Sequence, residues 1–253
     1  MNRSKRNTYL IILLFMTLGL ILSWLFPTLF IMKNLRTNDL IDITEQQVFH
    51  SIQGTNGNYL HPNSIMVLYV FAVIFALFFI FFKDKPGFIV RLKSRDDYVN
   101  KHLWDIVLIA FSFSLLIEVI NITFSFALFD AEIVLESNLI FYSVLDFFTE
   151  FLFYMRTGLI LFITGIIFNK KIAPFIAFAL YFSEYFSTDI FPFLYSAWLP
   201  YKDAVAITNL IAGDLSPWGV IPMVLRGITM NLALIWLARR LFMKKDMIQN
   251  EKR

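Results

Sequence analysis

The chain has no cysteine and only three histidines among its 253 residues. Without thiols there is no disulfide framework, no thiolate metal site and no cysteine nucleophile. Charge is also scarce: Asp, Glu, Lys and Arg make up 16% of the residues, against about 25% in a soluble domain. A net charge of +3 is too small to point to a nucleic-acid partner. No serine sits in a G-x-S-x-G setting and no Gly-rich phosphate loop is present. What the chain has in excess is apolar surface, with 58% hydrophobic residues and 30 Phe. A soluble domain carries about 45–50%. Here the excess lies in long runs, not in the short alternations of a globular core.

An apolar helix needs about 20 residues to cross the hydrocarbon core of a bilayer. That criterion gives six candidate spans: Tyr9–Met32, Ser64–Phe82, Leu103–Phe129, Leu139–Phe168, Ile172–Ile190 and Trp218–Phe242. The first follows a basic start, MNRSKRNT. It far exceeds the roughly 7–15 apolar residues of a signal peptide and no small-residue cleavage site follows it, so it reads as a retained span. The fourth is too long for one perpendicular crossing; it either begins as a surface helix or tilts. The fold class is therefore an all-α integral membrane protein, a single transmembrane domain over residues 1–253.

Lys and Arg orient the spans. Most of the 22 lie before the first span, between the second and third (Lys83, Lys85, Arg91, Lys93, Arg95, Lys101), at Lys170 and Lys171, and at and beyond the end of the last (Arg239, Arg240, Lys244, Lys245, Lys252, Arg253). The opposite flanks collect acids such as Asp39, Asp42, Glu45, Asp130, Glu132, Glu136, Asp203 and Asp214, with Lys33, Arg36 and Lys202 as exceptions. An excess of Lys and Arg marks the cytoplasmic side, which places both termini there. The outer connections differ in kind. Leu35–Asn63 contains GTNGN and reads as turn-rich and mobile. Phe191–Pro217 mixes aromatics with a short helical stretch, Asp203–Ala212. It reads as an interfacial or re-entrant element with Trp198 and Trp218 at headgroup depth.

Six ionisable residues fall inside the spans: Glu118, Asp146, Glu150, Arg156, Glu184 and Arg226. Such groups are costly in lipid and face a bundle interior or a wet cavity. Counting about 1.5 Å per helical residue puts Glu118, Glu184 and Arg226 in the outer half, where Arg226 is placed to neutralise one of the two acids. Asp146 and Glu150, four apart, share one helix face. Two readings stand: structural pairing, or an outward-facing polar pocket on a substrate path. His50, His61 and His102 sit in loops or at span edges, so hydrolytic chemistry at depth lacks an imidazole. No cofactor is expected.

The segment KDKPGFIVRLKSRDDYVNKHLWD, Lys83 to Asp105, is compact and carries both signs of charge. Pro86-Gly87 ends the second span. Phe88, Ile89 and Leu92 then share an apolar face, with Arg91, Lys93 and Arg95 turned to headgroups or cytosol. Ser94 is placed to cap the next helix, with Asp96 and Asp97 in its first turn, where the dipole favours acids. An orientation anchor would explain the bases, but not a helix–break–helix with both signs of charge.

Six spans, the RLKSRDDY elbow, the part-helical connection between spans five and six and a last span closing on ARRLFMKKDMI together resemble the ABC-2 type permeases. More narrowly, the chain resembles the small permease subunits of Gram-positive bacteria associated with peptide or bacteriocin export and self-protection. The resemblance implies a non-enzymatic half-transporter in the plasma membrane, without a nucleotide site of its own. It would pair with a second permease subunit, a copy of itself or a sister, and dock a cytosolic ABC ATPase. Arg91, Lys93, Ser94, Arg95, Asp96, Asp97 and Tyr98 would form the coupling element, and Trp198, Pro200, Tyr201 and Trp218 the outer gate. The chain departs from the family in having only MNRSKRNT before the first span, where an amphipathic helix is usual. Two rivals remain: a stand-alone immunity or sensor protein that binds a peptide without transport, and a membrane enzyme acting through Glu118, Asp146 or Glu150.

Overall fold

The structure is a computed structural model that describes residues 3–36, 44–54, 68–82, 95–190, 203–204 and 206–244. Among the described residues every regular element is helical. In chain order these are α1 (Arg3–Arg36), α2 (Glu45–Gly54), α3 (Val70–Phe82), α4 (Arg95–Leu128), α5 (Ala131–Glu136), α6 (Leu139–Ile167), α7 (Ala173–Ile190), α8 (Ala206–Ala212) and α9 (Val220–Lys244). A 3-10 turn at Pro217–Gly219 leads into α9. Four helices, α1, α4, α6 and α9, are long and apolar enough to cross a membrane, and α3 and α7 are shorter apolar helices. In hydrocarbon every backbone polar group must be satisfied within the segment, so Phe- and Ile-rich runs coil into helices whatever their propensity in water.

The distribution of polarity is inverted relative to a soluble protein. Phe15, Phe26, Phe175, Leu232 and Trp236 are exposed, while Gln53, Glu118, Asn121, Asp146, Glu150 and Arg156 are buried. Water would select the opposite arrangement. The chain is a helical membrane protein.

Side-chain contacts fix how the apolar helices run. The Tyr9 hydroxyl donates to Asp105 Oδ1 at 2.5 Å and Trp24 Nε1 to Asn121 Oδ1 at 3.2 Å, so α1 and α4 are parallel. Phe81 against His102 and Tyr69 against Phe113 set α3 antiparallel to α4. His102 against Phe162 and Phe113 against Tyr154 do the same for α6. Thr164 at Ala173 and Arg156 at Glu184 reverse the direction again at α7. Finally Arg239 at Asn100 and Arg95 at Met243 set α9 antiparallel to α4. Successive apolar helices therefore alternate in direction.

At the centre stands α6, which packs on α3, α4, α7, α8 and α9. Its Gly158 lets two of them come close. A Cβ there would lie 2.6 Å from Ile106 Cγ2 on α4 and 2.8 Å from Leu77 Cδ1 on α3. Lipid tails are as apolar as Leu, so helix association in a bilayer depends on close backbone approach at small residues and on hydrogen bonds between helices. The α6–α9 seam uses both: Gly227 faces Leu152, and Asn231 Nδ2 donates to the Leu152 carbonyl at 2.9 Å.

Two expectations are corrected. The fourth span is neither broken nor a surface helix, because α6 runs unbroken from Leu139 with Leu139 and Ser143 already buried. The break precedes it at Asn138, whose φ of 55° is left-handed. The third apolar run, from Leu103, belongs to a helix that starts at Arg95, as the Ser94 cap position and the acids after it imply; Tyr98, Val99 and His102 are buried and extend its packed face toward the basic end. The connection Leu35–Asn63 is not uniformly turn-like. Within it, α2 buries Val48, Phe49, Ile52 and Gln53. A capping box starts that helix: Gln47 N donates to Thr44 Oγ1 at 3.3 Å and Thr44 N to Gln47 Oε1 at 3.0 Å. The Phe88–Leu92 face lies outside the described residues.

Candidate functional site

Because α4 and α6 run antiparallel, Glu118 faces Asp146 and Glu150, which the four-residue spacing already sets on one side of α6. All three are buried. One carboxylate oxygen from each lies within 4.8 Å of the others. Asp146 is the best held: its Oδ1 accepts from Thr149 Oγ1 and from the Ile207 backbone N–H, both at 3.2 Å. The second of these bonds brings α8 over the cluster. The Asp203–Ala212 stretch is thus helical over Ala206–Ala212, with Ala206, Ile207, Leu210 and Ile211 buried and α8 packed on α2 and α6.

The remaining oxygens are unsatisfied. Among the described residues, neither oxygen of Glu118 or Glu150 has a hydrogen-bond partner, and nor does Asp146 Oδ2. Two buried hydroxyls face the same spot. Ser143, Asp146, Glu150 and Tyr154 follow one another in steps of three and four along α6 and so share a face. The Ser143 hydroxyl approaches Glu118, and neither hydroxyl closes a hydrogen bond of ordinary geometry among the described residues. A buried carboxylate without a partner is among the costliest groups a protein can hold.

The other intramembrane charges are handled differently. Arg156 Nη2 donates to Glu184 Oε2 at 3.2 Å and Oε1 at 3.4 Å. Its guanidinium also lies 5.1 Å from the Phe153 ring centroid and 5.0 Å from that of Tyr181, a cation–π sandwich. Arg226, expected to neutralise an acid within the spans, instead pairs with Asp203. The correction arises because residues 203–204 form a 3-10 turn that buries Asp203, an acid assigned by sequence to the outer flank. Burial pushes the Asp203 carboxyl up to about 6, with the Arg226 guanidinium acting in the opposite direction.

At the basic end, Asp96 and Asp97 occupy the first turn of α4 as expected. Arg95 Nη1 donates to the Met243 carbonyl at 2.9 Å, and the Tyr98 ring stacks on Phe242 with centroids 4.9 Å apart. Arg239 Nη2 donates to Asn100 Oδ1 at 3.0 Å. The start of α4 and the end of α9 are thereby tied together. Arg91, Lys93 and Ser94 lie outside the described residues, as do Trp198, Pro200 and Tyr201. Trp218 is 79% exposed in the 3-10 turn before α9, a placement that suits an aromatic at headgroup depth. Of the histidines, His61 lies outside the described residues and His50 is exposed on α2. His102, next to the expected start of its span, is buried among Phe81, Tyr98 and Phe162.

Sequence reasoning missed a polar knot joining α1, α2 and α4. Gln53 Nε2 donates to Asn121 Oδ1 and to Ser125 Oγ, each at 2.9 Å, and Trp24 Nε1 donates to the same Asn121 oxygen. An amide and a hydroxyl four apart in an apolar span, Asn121 and Ser125, were the available signal. Compared with known proteins, the chain matches no family model, no curated protein and no solved structure.

Proposed function

We propose that the chain is the permease subunit of an ATP-driven transporter, crossing the membrane six times with both ends in the cytoplasm. ATP would be hydrolysed on a separate cytosolic subunit. The carrying observation is the junction at the basic end, where Arg95, Tyr98 and Asn100 of α4 hold Met243, Phe242 and Arg239 of α9. A force applied to the elbow reaches two helices at once. From there α4 runs without a break to Glu118, so the Arg95–Tyr98 end of the elbow and one of the three buried acids move as parts of one rod. The alternating direction of α1, α3, α4, α6, α7 and α9 supports six crossings. The exposed apolar faces of α1 and α9 suit lipid or a second permease subunit, and an apolar or amphipathic cargo such as a peptide suits the Phe-rich spans.

Co-purification tests the reading. The chain should bring down a nucleotide-binding subunit whose ATP turnover depends on it, and R91E/R95E should abolish the association while the chain still inserts. A chain that binds no ATPase yet still protects cells from a toxic peptide would instead be a stand-alone binder.

A further inference from the structure

We propose that Glu118, Asp146 and Glu150 form a binding site for a hard divalent cation of calcium size, held between α4 and α6. The donor set is all oxygen, which suits hard cations, whereas zinc and its neighbours are drawn to nitrogen and sulfur. Calcium–oxygen bonds of 2.3–2.6 Å put ligands on opposite sides of the ion about 4.6–5.2 Å apart, and adjacent ligands closer. Carboxylate oxygens within 4.8 Å of one another already meet that spacing, with no helix movement required. Magnesium, at about 2.0–2.1 Å, demands a tighter octahedron and holds on to its waters.

The valence count points the same way. Both oxygens of Glu118, both of Glu150 and Asp146 Oδ2 are without partners among the described residues. With the Tyr154 and Ser143 hydroxyls they approach the roughly 6–8 oxygens that calcium takes. Those two hydroxyls are the independent sign of a ligand: both are buried and without a hydrogen bond of ordinary geometry among the described residues, Ser143 approaches Glu118, and Tyr154 stands one turn from Glu150 on the same face of α6. Charge favours a cation too. Arg156, the one basic residue on α6, is committed to Glu184, so Asp146 and Glu150 have no counter-charge from their own helix. The site stands on its own geometry, whether or not an ATPase drives the chain.

The test uses the purified full chain in lipid nanodiscs, stripped with a chelator and titrated with radiolabelled Ca²⁺ against Mg²⁺. One saturable site per chain is expected, preferring Ca²⁺ to Mg²⁺. Its affinity should fall by at least about tenfold in E118Q and in E150Q, while T44A should keep the wild-type affinity. Absence of saturable binding in the wild type, a preference for Mg²⁺, or unchanged affinity in both Gln variants overturns the proposal. Should a Gln variant not be recovered, Tb³⁺ replaces Ca²⁺ in the wild type, where its emission under tyrosine excitation reports a tyrosine beside the ion. Tyr154→Phe is expected to lose most of that emission. Unchanged emission would place the ion elsewhere and overturn the proposal.

Discussion

Two stretches of α6 treat buried charge in opposite ways. At Arg156 the guanidinium is matched by Glu184 and enclosed by two aromatic rings. Six residues earlier, about 9 Å along the helix, Glu150 lies with Asp146 and Glu118 in a group of one sign. Pairing makes the first stretch costly to break and leaves nothing over for a ligand. The second stretch keeps coordination capacity in reserve, which is what a binding site needs and a structural pair lacks.

The largest break in that contrast should come from Arg156→Ala. Removing one member of a buried pair strands the other, and a loss of about 3–5 kcal/mol in detergent unfolding is expected. A loss as small as that of a surface substitution would show that the pair holds little.

Asp203 sharpens the contrast at the membrane edge, where pairing with Arg226 coexists with a carboxyl raised to about 6. Between the ordinary Asp value near 4 and about pH 6, the folded chain holds a proton that the unfolded chain has released. Stability from this group therefore falls as pH rises through that window and is level above it. The fall is about 1.4 kcal/mol per pH unit, roughly 3 kcal/mol in all. Melting followed from pH 4 to 7 should show that slope, and D203N should remove it.

Gly158→Ala tests whether the close approach of α6 to α3 and α4 keeps the acids together. Its Cβ must displace Ile106 and Leu77, and a cost of about 1–3 kcal/mol is expected. Smallest of all should be Glu118→Gln without divalent cation. It removes one of three like charges and keeps the shape, so stability within about 1 kcal/mol of wild type, or above it, is expected. A collapse of the fold would mean that Glu118 is a structural partner after all.

The helical membrane class was legible from the apolar runs, and so was the shared face of Asp146 and Glu150, because both rest on local spacing. Glu118 as the third member was not, since it depends on α4 lying opposite α6. The partner of Arg226 was misassigned for a related reason: counting residues along a helix cannot show that residues 203–204 turn inward. In α3, VFAVIFALFFIFF has no polar residue to mark a face. Only packing turns Val73, Ile74 and Leu77 inward and Phe71, Phe75 and Phe79 outward. By contrast α2 could have been read, since Thr44 and Gln47 carry the spacing of a capping box.

The length of α4 has a consequence of its own. Its 34 residues make a rod about 51 Å long, against a hydrocarbon slab of about 30 Å. Even a tilt of about 20° leaves well over a dozen ångströms outside the slab, and the charged start, Arg95 to Asp97, is the end that hydrocarbon would exclude. Bilayer thickness then sets how far that tip protrudes: longer acyl chains draw it in and shorter ones push it out. Exposure of Arg95 to a water-soluble reagent should therefore depend on the acyl-chain length of the host membrane.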